Sequence, residues 1–253
     1  MKIAIITGAS SGLGWAYAQE LDRRGEADEI WAVARRADRL EQLAQKLNTP
    51  VRPLALDLAD RSAVDIISGL LKKEKPLVTT LINAAGFGKF GRWDDLTAEE
   101  TDGMLDVNVR ALVHLTVAVL PYMPRGSRLL EVASCAAFQP LPDMNVYAAT
   151  KAFVLNYTRA LRWELRGKGI RVTAVCPGWI RTEFFEVAAD TKNGGAVSRF
   201  LLSVSPRTVV KWSLAANHLN LAVTTCGVHS FIQRIGTKIA PAWLTIGCWK
   251  LLH

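Results

Sequence analysis

Four histidines in 253 residues, none at ligand spacing from another, give a metal ion nothing to bind. The four cysteines, Cys135, Cys176, Cys226 and Cys248, are too scattered for a CxxC redox or zinc pattern and do not form a disulfide framework. Reduced thiols in the cytoplasm are the expectation. Low-complexity runs and Pro/Ser-rich linkers are also absent, so a single domain of ordinary globular composition is expected. The opening run Lys2 to Ile6 is too short for a signal peptide and ends in a glycine turn, so it reads as a first strand.

Acidic residues are missing altogether beyond Asp190, where Lys192, Arg199, Arg207, Lys211, Arg234, Lys238 and Lys250 supply seven positive charges. The formal charge of +8 is therefore almost wholly a property of the tail, and residues 1–190 carry only +1. No nucleic-acid partner is expected. Within residues 228–253 the longest charge-free run, Ile239 to Trp249, falls short of the ~20 residues that cross a bilayer as a helix. Its tryptophans and basic edge suit a helix lying on a membrane surface, and equally a cover over a pocket or a subunit contact.

What is present is alternation. Apolar runs at Ile3–Ile6, Ile30–Val33, Val51–Leu56, Leu77–Ile82, Leu129–Val132 and Val172–Val175 are each followed by a stretch of helical periodicity. A βαβα order of this kind predicts an α/β fold, a doubly wound and mostly parallel sheet of Rossmann type with helices on both faces. Ligands of such sheets sit beyond the carboxyl ends of the strands, where strand order reverses.

The first strand runs into Gly8-Ala9-Ser10-Ser11-Gly12-Leu13-Gly14. Gly8 permits a tight exit, Gly12 lets backbone approach a pyrophosphate, and Gly14 allows close helix packing, while the helix N-terminus offers free N–H groups to the anion. Glycine turns also serve purely structural ends. After the second strand the sequence reads Ala34-Arg35-Arg36, with no acid to hold a ribose 2′-hydroxyl and with guanidinium groups that can clamp a 2′-phosphate. NADP(H) is expected over NAD(H), unless the two arginines only solvate the next helix. Asp57 and Leu58 follow the third strand, where an isolated Asp most often caps a helix.

Tyr147 and Lys151 are four apart on a predicted helix and so share a face. An ammonium beside a phenol favours the phenolate, which makes Tyr147 a usable acid/base. Ser134 leaves the fifth strand, where its hydroxyl can hold a substrate oxygen. Cys135 has no histidine nearby to activate it and reads as pocket wall.

Taken in order, the glycine turn, Asn83-Ala84-Ala85-Gly86, Asn108, Ser134, Tyr147-x-x-x-Lys151 and Pro177-Gly178 with Ile180 and Thr182 resemble the short-chain dehydrogenase/reductase family over about residues 3–182. The resemblance implies oxidation of alcohols or reduction of ketones and aldehydes by hydride transfer with NADP(H). It gives Asp57 the adenine, Lys151 the nicotinamide ribose, Asn108 a water linking Lys151 to solvent, and Ile180 and Thr182 the carboxamide. It also implies a homodimer or homotetramer, and a variable substrate lid over residues 183–205. In that lid Phe184, Phe185, Val187 and Phe200, with Gly194-Gly195 as a hinge, join Phe87, Phe90, Trp93, Phe138, Leu141, Met144 and Trp179 in an expected apolar pocket for a lipophilic, steroid-like or acyl carbonyl or alcohol. A regulatory or lipid-handling protein at a membrane surface, with the same fold and little catalysis, is the alternative.

Overall fold

A computed structural model describes residues 1–197 and 203–252. Phe200 of the expected lid therefore lies outside the described residues. The chain begins β1 (Lys2–Thr7), α1 (Gly12–Arg24), β2 (Glu29–Ala34), α2 (Ala37–Lys46), β3 (Val51–Ala55), α3 (Ser62–Glu74) and β4 (Leu77–Asn83). It continues through α4 (Ala98–Leu105), a π-helical turn at Asp106–Ala111, α5 (Leu112–Val119), β5 (Arg128–Val132), α6 (Asn145–Glu164) and β6 (Arg171–Pro177). Then follow α7 (Phe184–Ala189), α8 (Pro206–His218), β7 (Val223–Cys226), α9 (Val228–Ile239) and α10 (Ala242–Leu252).

Among the described residues all six strand pairings are parallel, in the order β3-β2-β1-β4-β5-β6-β7. The order reverses between β1 and β4, so the crevice above their carboxyl ends is the place for a ligand. Alternation along each strand explains the two cores. Ile3 and Ile5 face one layer with Trp31, Leu81 and Leu115, while Ala4 and Ile6 face the other with Tyr17, Leu40 and Leu214.

The seventh strand was not expected from the apolar runs. Val223–Cys226 is short, half polar and at the sheet edge, where one neighbour suffices. The helical run Ala98–Tyr122 is long and apolar enough to cross a membrane by length and composition alone, yet its middle carries the fully buried Asn108 and its apolar side packs into the core.

Candidate active site

The glycine turn takes the form its residues dictate. Gly8 sits at φ 68°, and a Cβ there would stand 2.9 Å from the Ala85 backbone nitrogen. At Gly14 the Cβ would lie 2.3 Å from the Gly8 carbonyl oxygen, so the helix meets the turn backbone to backbone. Ser11 caps α1 without bonding its free N–H groups, and no acid stands in the first turn. Those uncommitted donors fit a pyrophosphate.

One cavity of about 770 Å³ runs from this turn across the ends of β2, β4, β5 and β6. It brings together Gly8, Ser10, Ser11, Gly12, Leu13, Gly14, Arg35, Arg36, Asp57, Leu58, Ala84, Ala85, Gly86, Ser134, Tyr147, Lys151, Pro177, Gly178, Ile180 and Thr182. Asn83 and Asn108 lie beneath the floor. Asn83 is buried and donates to Thr116 Oγ1 at 2.9 Å and to Glu131 Oε1 at 3.2 Å.

The two arginines part company. Arg35, on which the 2′-phosphate expectation chiefly rested, is largely exposed and lies 4.0 Å from Asp57. Arg36 turns back over the glycine turn, with Nη2 3.3 Å from Ser10 Oγ. Asp57 Oδ1 accepts from Ala59 N at 2.9 Å, the local cap bond, while still facing the cavity.

At the reacting end, Ser134 leaves β5 and begins a short 3₁₀ turn, its Oγ accepting from Ala136 N at 3.1 Å. The Ser134 hydroxyl faces the Tyr147 phenol closely enough to pull its pKa down. Lys151, one turn along α6, is buried and donates to the Val132 carbonyl at 2.9 Å. Gly86 and Gly88 allow the floor to close on these groups. A Cβ at Gly86 would stand 3.1 Å from Lys151 Nζ and 2.8 Å from Asn108 Oδ1, and one at Gly88 would stand 2.8 Å from the Tyr147 ring. Asn108 side-chain bonds pin both polar groups of the Phe87 backbone, at 3.0 and 2.8 Å, and reach Thr150 Oγ1 at 3.1 Å.

Burial changes the expected acid–base balance. The Tyr147 phenol is pushed well above its ordinary value by enclosure, with the Ser134 hydroxyl pulling weakly the other way. Enclosure also brings Lys151 down to about 8. The spacing of Tyr147 and Lys151 predicted an eased phenolate. In this site enclosure acts in the opposite sense and holds the proton on the phenol. Cys135 is inert wall, its thiol pushed up to about 11 by burial.

Phe87, Leu141, Met144, Trp179, Phe184 and Val187 line the substrate end as expected. Phe90 is buried behind them, Trp93 is exposed at 78%, and Phe138 packs with a separate core around Leu112 and Val154. At Gly194 the Ala189 carbonyl oxygen occupies the place a Cβ would take, so only glycine fits there, while Gly195 stands in open space. The tail, for which a membrane surface, a pocket cover and a subunit contact were all open, supplies the outer wall of this cavity. Ile232, Gln233, Gly236 and Thr237 of α9 with Leu244, Thr245, Cys248 and Trp249 of α10 close that side. Trp249 anchors it, buried against Trp179 at 6.3 Å between ring centroids and donating to the Pro142 carbonyl at 3.0 Å. An unbroken apolar stretch near the chain end was the available signal.

A parallel sheet with a glycine-turn cradle and a Ser-Tyr-Lys cluster at its switch point defines a nucleotide-dependent oxidoreductase. The family model for short chain dehydrogenases matches residues 2–193. A sulfoacetaldehyde reductase of Chromohalobacter salexigens is 38% identical over 191 residues, 72% of this chain and 74% of that one. An NADP-dependent 3-hydroxy acid dehydrogenase of Salmonella typhi is 30% identical over 229 residues, 87% of this chain and 92% of that one. Among solved structures, a short-chain dehydrogenase from Sphingobium yanoikuyae in complex with NADPH superposes with a TM-score of 0.81 at 29% identity, covering 97% of this chain and 95% of that one. A bulky-bulky ketone specific alcohol dehydrogenase from Comamonas testosteroni gives 0.74 at 25% identity, covering 99% and 92%. The chain belongs to the short-chain dehydrogenase family and is an oxidoreductase.

Proposed function

We propose that this oxidoreductase interconverts a lipophilic ketone or aldehyde and the corresponding alcohol, using NADP(H). The observation that carries the reading is the convergence of Ser134, Tyr147 and Lys151 on one cavity whose substrate end is walled by Phe87, Leu141, Met144, Trp179 and Phe184. The cations lining it are Arg35 and Arg36 at the nucleotide end and Lys151 behind Tyr147, so among the described residues the outer wall offers no guanidinium or ammonium to an anionic substrate. A neutral, bulky compound suits such a wall better than a sulfonate or a carboxylate.

The nicotinamide, when bound, supplies or accepts the hydride at the carbonyl carbon. The Ser134 hydroxyl donates to the substrate oxygen and fixes its position. Tyr147 exchanges the proton with that oxygen, and its neutral resting form suits donation during carbonyl reduction. Lys151, fixed by the Val132 carbonyl, stabilises the phenolate left after transfer. The test is turnover of NADPH and NADH over a panel of bulky aryl and alicyclic ketones, sulfoacetaldehyde and 3-hydroxy acids. Turnover of bulky ketones with NADPH is expected, and activity confined to the anionic compounds would refute the lipophilic reading.

The outward sides of α9 and α10 favour a second element of the reading, contact with an anionic membrane surface in the cytoplasm. Ile232, Ile239, Trp243 and Leu251 are 62%, 81%, 73% and 81% exposed, and Ile232 also lines the cavity. Exposed Lys238 and Lys250 border them, with no acid beyond Asp190 to repel lipid headgroups. Full-length protein is expected to co-sediment with phosphatidylserine-containing vesicles in low salt, and Ile239→Ser with Trp243→Ser to abolish this. Equal sedimentation of parent and variant would leave the surface to a subunit contact.

A further inference from the structure

Glu183 stands between Thr182 and the first residue of α7, on the far side of the cavity from α2, yet its carboxylate spans the gap. Arg36 Nη2 lies 2.8 Å from Oε2, and Arg39 Nη2 lies 3.3 Å from Oε1. Ser11 of the glycine turn lies beside the same carboxylate and helps the two arginines hold its pKa down. Arg36 meanwhile keeps Nε 3.4 Å and Nη2 3.3 Å from Ser10 Oγ. Two guanidinium groups on one anion, with Ser10 Oγ holding the first of them and Ser11 beside it, form at the end of β2 a cradle whose chemistry is that of a phosphate site. The anion there now belongs to the protein. Arg35, the neighbour that could have served instead, is directed to Asp57.

Resting on the NADP(H) reading above, we propose that Glu183 is a cofactor-specificity residue: its carboxylate is the internal counter-anion of the Ser10, Arg36 and Arg39 cradle, and the 2′-phosphate of NADP(H) displaces it. A carboxylate and a phosphate cannot share the donors of Arg36 without repelling each other, so every NADP(H) molecule bound must loosen the Glu183 contact. NAD(H), which lacks the 2′-phosphate, has nothing to put in its place and leaves the latch closed. The consequence reaches the reacting end. Glu183 leads directly into α7, whose Phe184 lies 5.4 Å from the Tyr147 ring between centroids. Release of Glu183 therefore frees the segment that covers Tyr147, in response to the phosphorylated nucleotide alone.

The neutral isostere Glu183→Gln separates this role from a packing role, because the side chain is more than a third exposed and keeps its shape. Equilibrium binding of NADPH, NADH, 2′-AMP and 5′-AMP is measured by calorimetry for the parent and for Glu183→Gln, at low and high salt. Binding of NADPH and 2′-AMP should tighten on the order of 3–10-fold in the variant, as fits a half-exposed ion pair, with the gain shrinking at high salt. NADH and 5′-AMP should bind as before. Unchanged or weakened NADPH binding in the variant would overturn the proposal, the latter by making Glu183 a clamp that holds the nucleotide. Equal tightening of NADH would overturn it too, by reducing the effect to net charge. A parent protein that prefers NADH fails the cofactor reading itself, a result separable from any change in the variant-to-parent ratio.

Discussion

Glu131 offers the sharpest test of how burial governs this site. It sits on β5 immediately before Val132, fully buried, with Oε1 accepting from Thr116 Oγ1 at 2.8 Å and from Asn83 at 3.2 Å. Oε2 has no hydrogen-bond partner. Desolvation pushes this carboxyl up to about 8 from 4.5, against the pull of Thr116, Asn83 and the Lys151 ammonium. Tyr157 also faces it and is itself pushed up to about 12 by burial first and by the Glu131 charge second. The folded state thus holds a proton that the unfolded chain releases near pH 4.5. Between there and about pH 8 the native protein binds more protons, so stability falls as pH rises. At 1.36 kcal/mol per pKa unit, the loss across that window is on the order of 3–5 kcal/mol. Glu131→Gln keeps the shape, carries no charge and supplies a donor at the vacant position. Its melting temperature should match the parent at pH 5 and exceed it by roughly 10 °C at pH 8.5, taking about 2–4 °C per kcal/mol for a chain of this size. Thermal denaturation of both proteins across pH 5–9 measures this, and parallel curves would show that Glu131 keeps an ordinary carboxyl pKa.

Tyr147→Phe should lower turnover at least ~10²-fold while NADPH affinity, read by fluorescence titration, stays within a factor of a few. Near-normal turnover in the folded variant would remove the proton-transfer assignment. Asn108→Ala strips the partners from both polar groups of the Phe87 backbone, each costing about 1–3 kcal/mol when buried and unpaired, so urea denaturation should show a loss of roughly 3 kcal/mol. A loss below about 1 kcal/mol would mean that water satisfies Phe87 unaided.

Most of the nucleotide end was legible because its residue types answer backbone demands that spacing alone reveals. Gly8 and Gly14 stand where neighbouring backbone leaves no room for a Cβ, and no other residue could produce that turn. Tyr147 and Lys151 were legible through helical period. What spacing cannot carry is enclosure and direction. The position of Lys151 one turn beyond Tyr147 announces an ammonium near a phenol, but the burial that raises the phenol pKa comes from Phe184, the close approach of Gly88 and the cluster that includes Trp249. Arg35 and Arg36 are adjacent and chemically identical, and only the turn into α2 decides which reaches Ser10. β7 was missed because Val223–Cys226 needs only one apolar partner strand and so never builds a continuous apolar run.

The two ends of the cavity are built by different means, and this divides the chemistry from the choice of substrate. Lys151 and Asn108 are tied to main-chain groups of Val132 and Phe87, parts of the chain that leave β5 and β4 of the central sheet. Their positions follow from strand register and tolerate almost no change in the surrounding side chains. The outer wall of α9 and α10 touches the rest of the molecule mainly through side chains, of which Trp249 against Trp179 and the Pro142 carbonyl is the firmest. That wall can be reshaped without moving a reacting group. The relatives include a sulfoacetaldehyde reductase and a bulky-bulky ketone specific alcohol dehydrogenase, whose named substrates differ in bulk and charge. In this chain the wall is apolar inside and apolar with a basic edge outside, so the two helices that close the cavity also carry the exposed apolar surface of the tail.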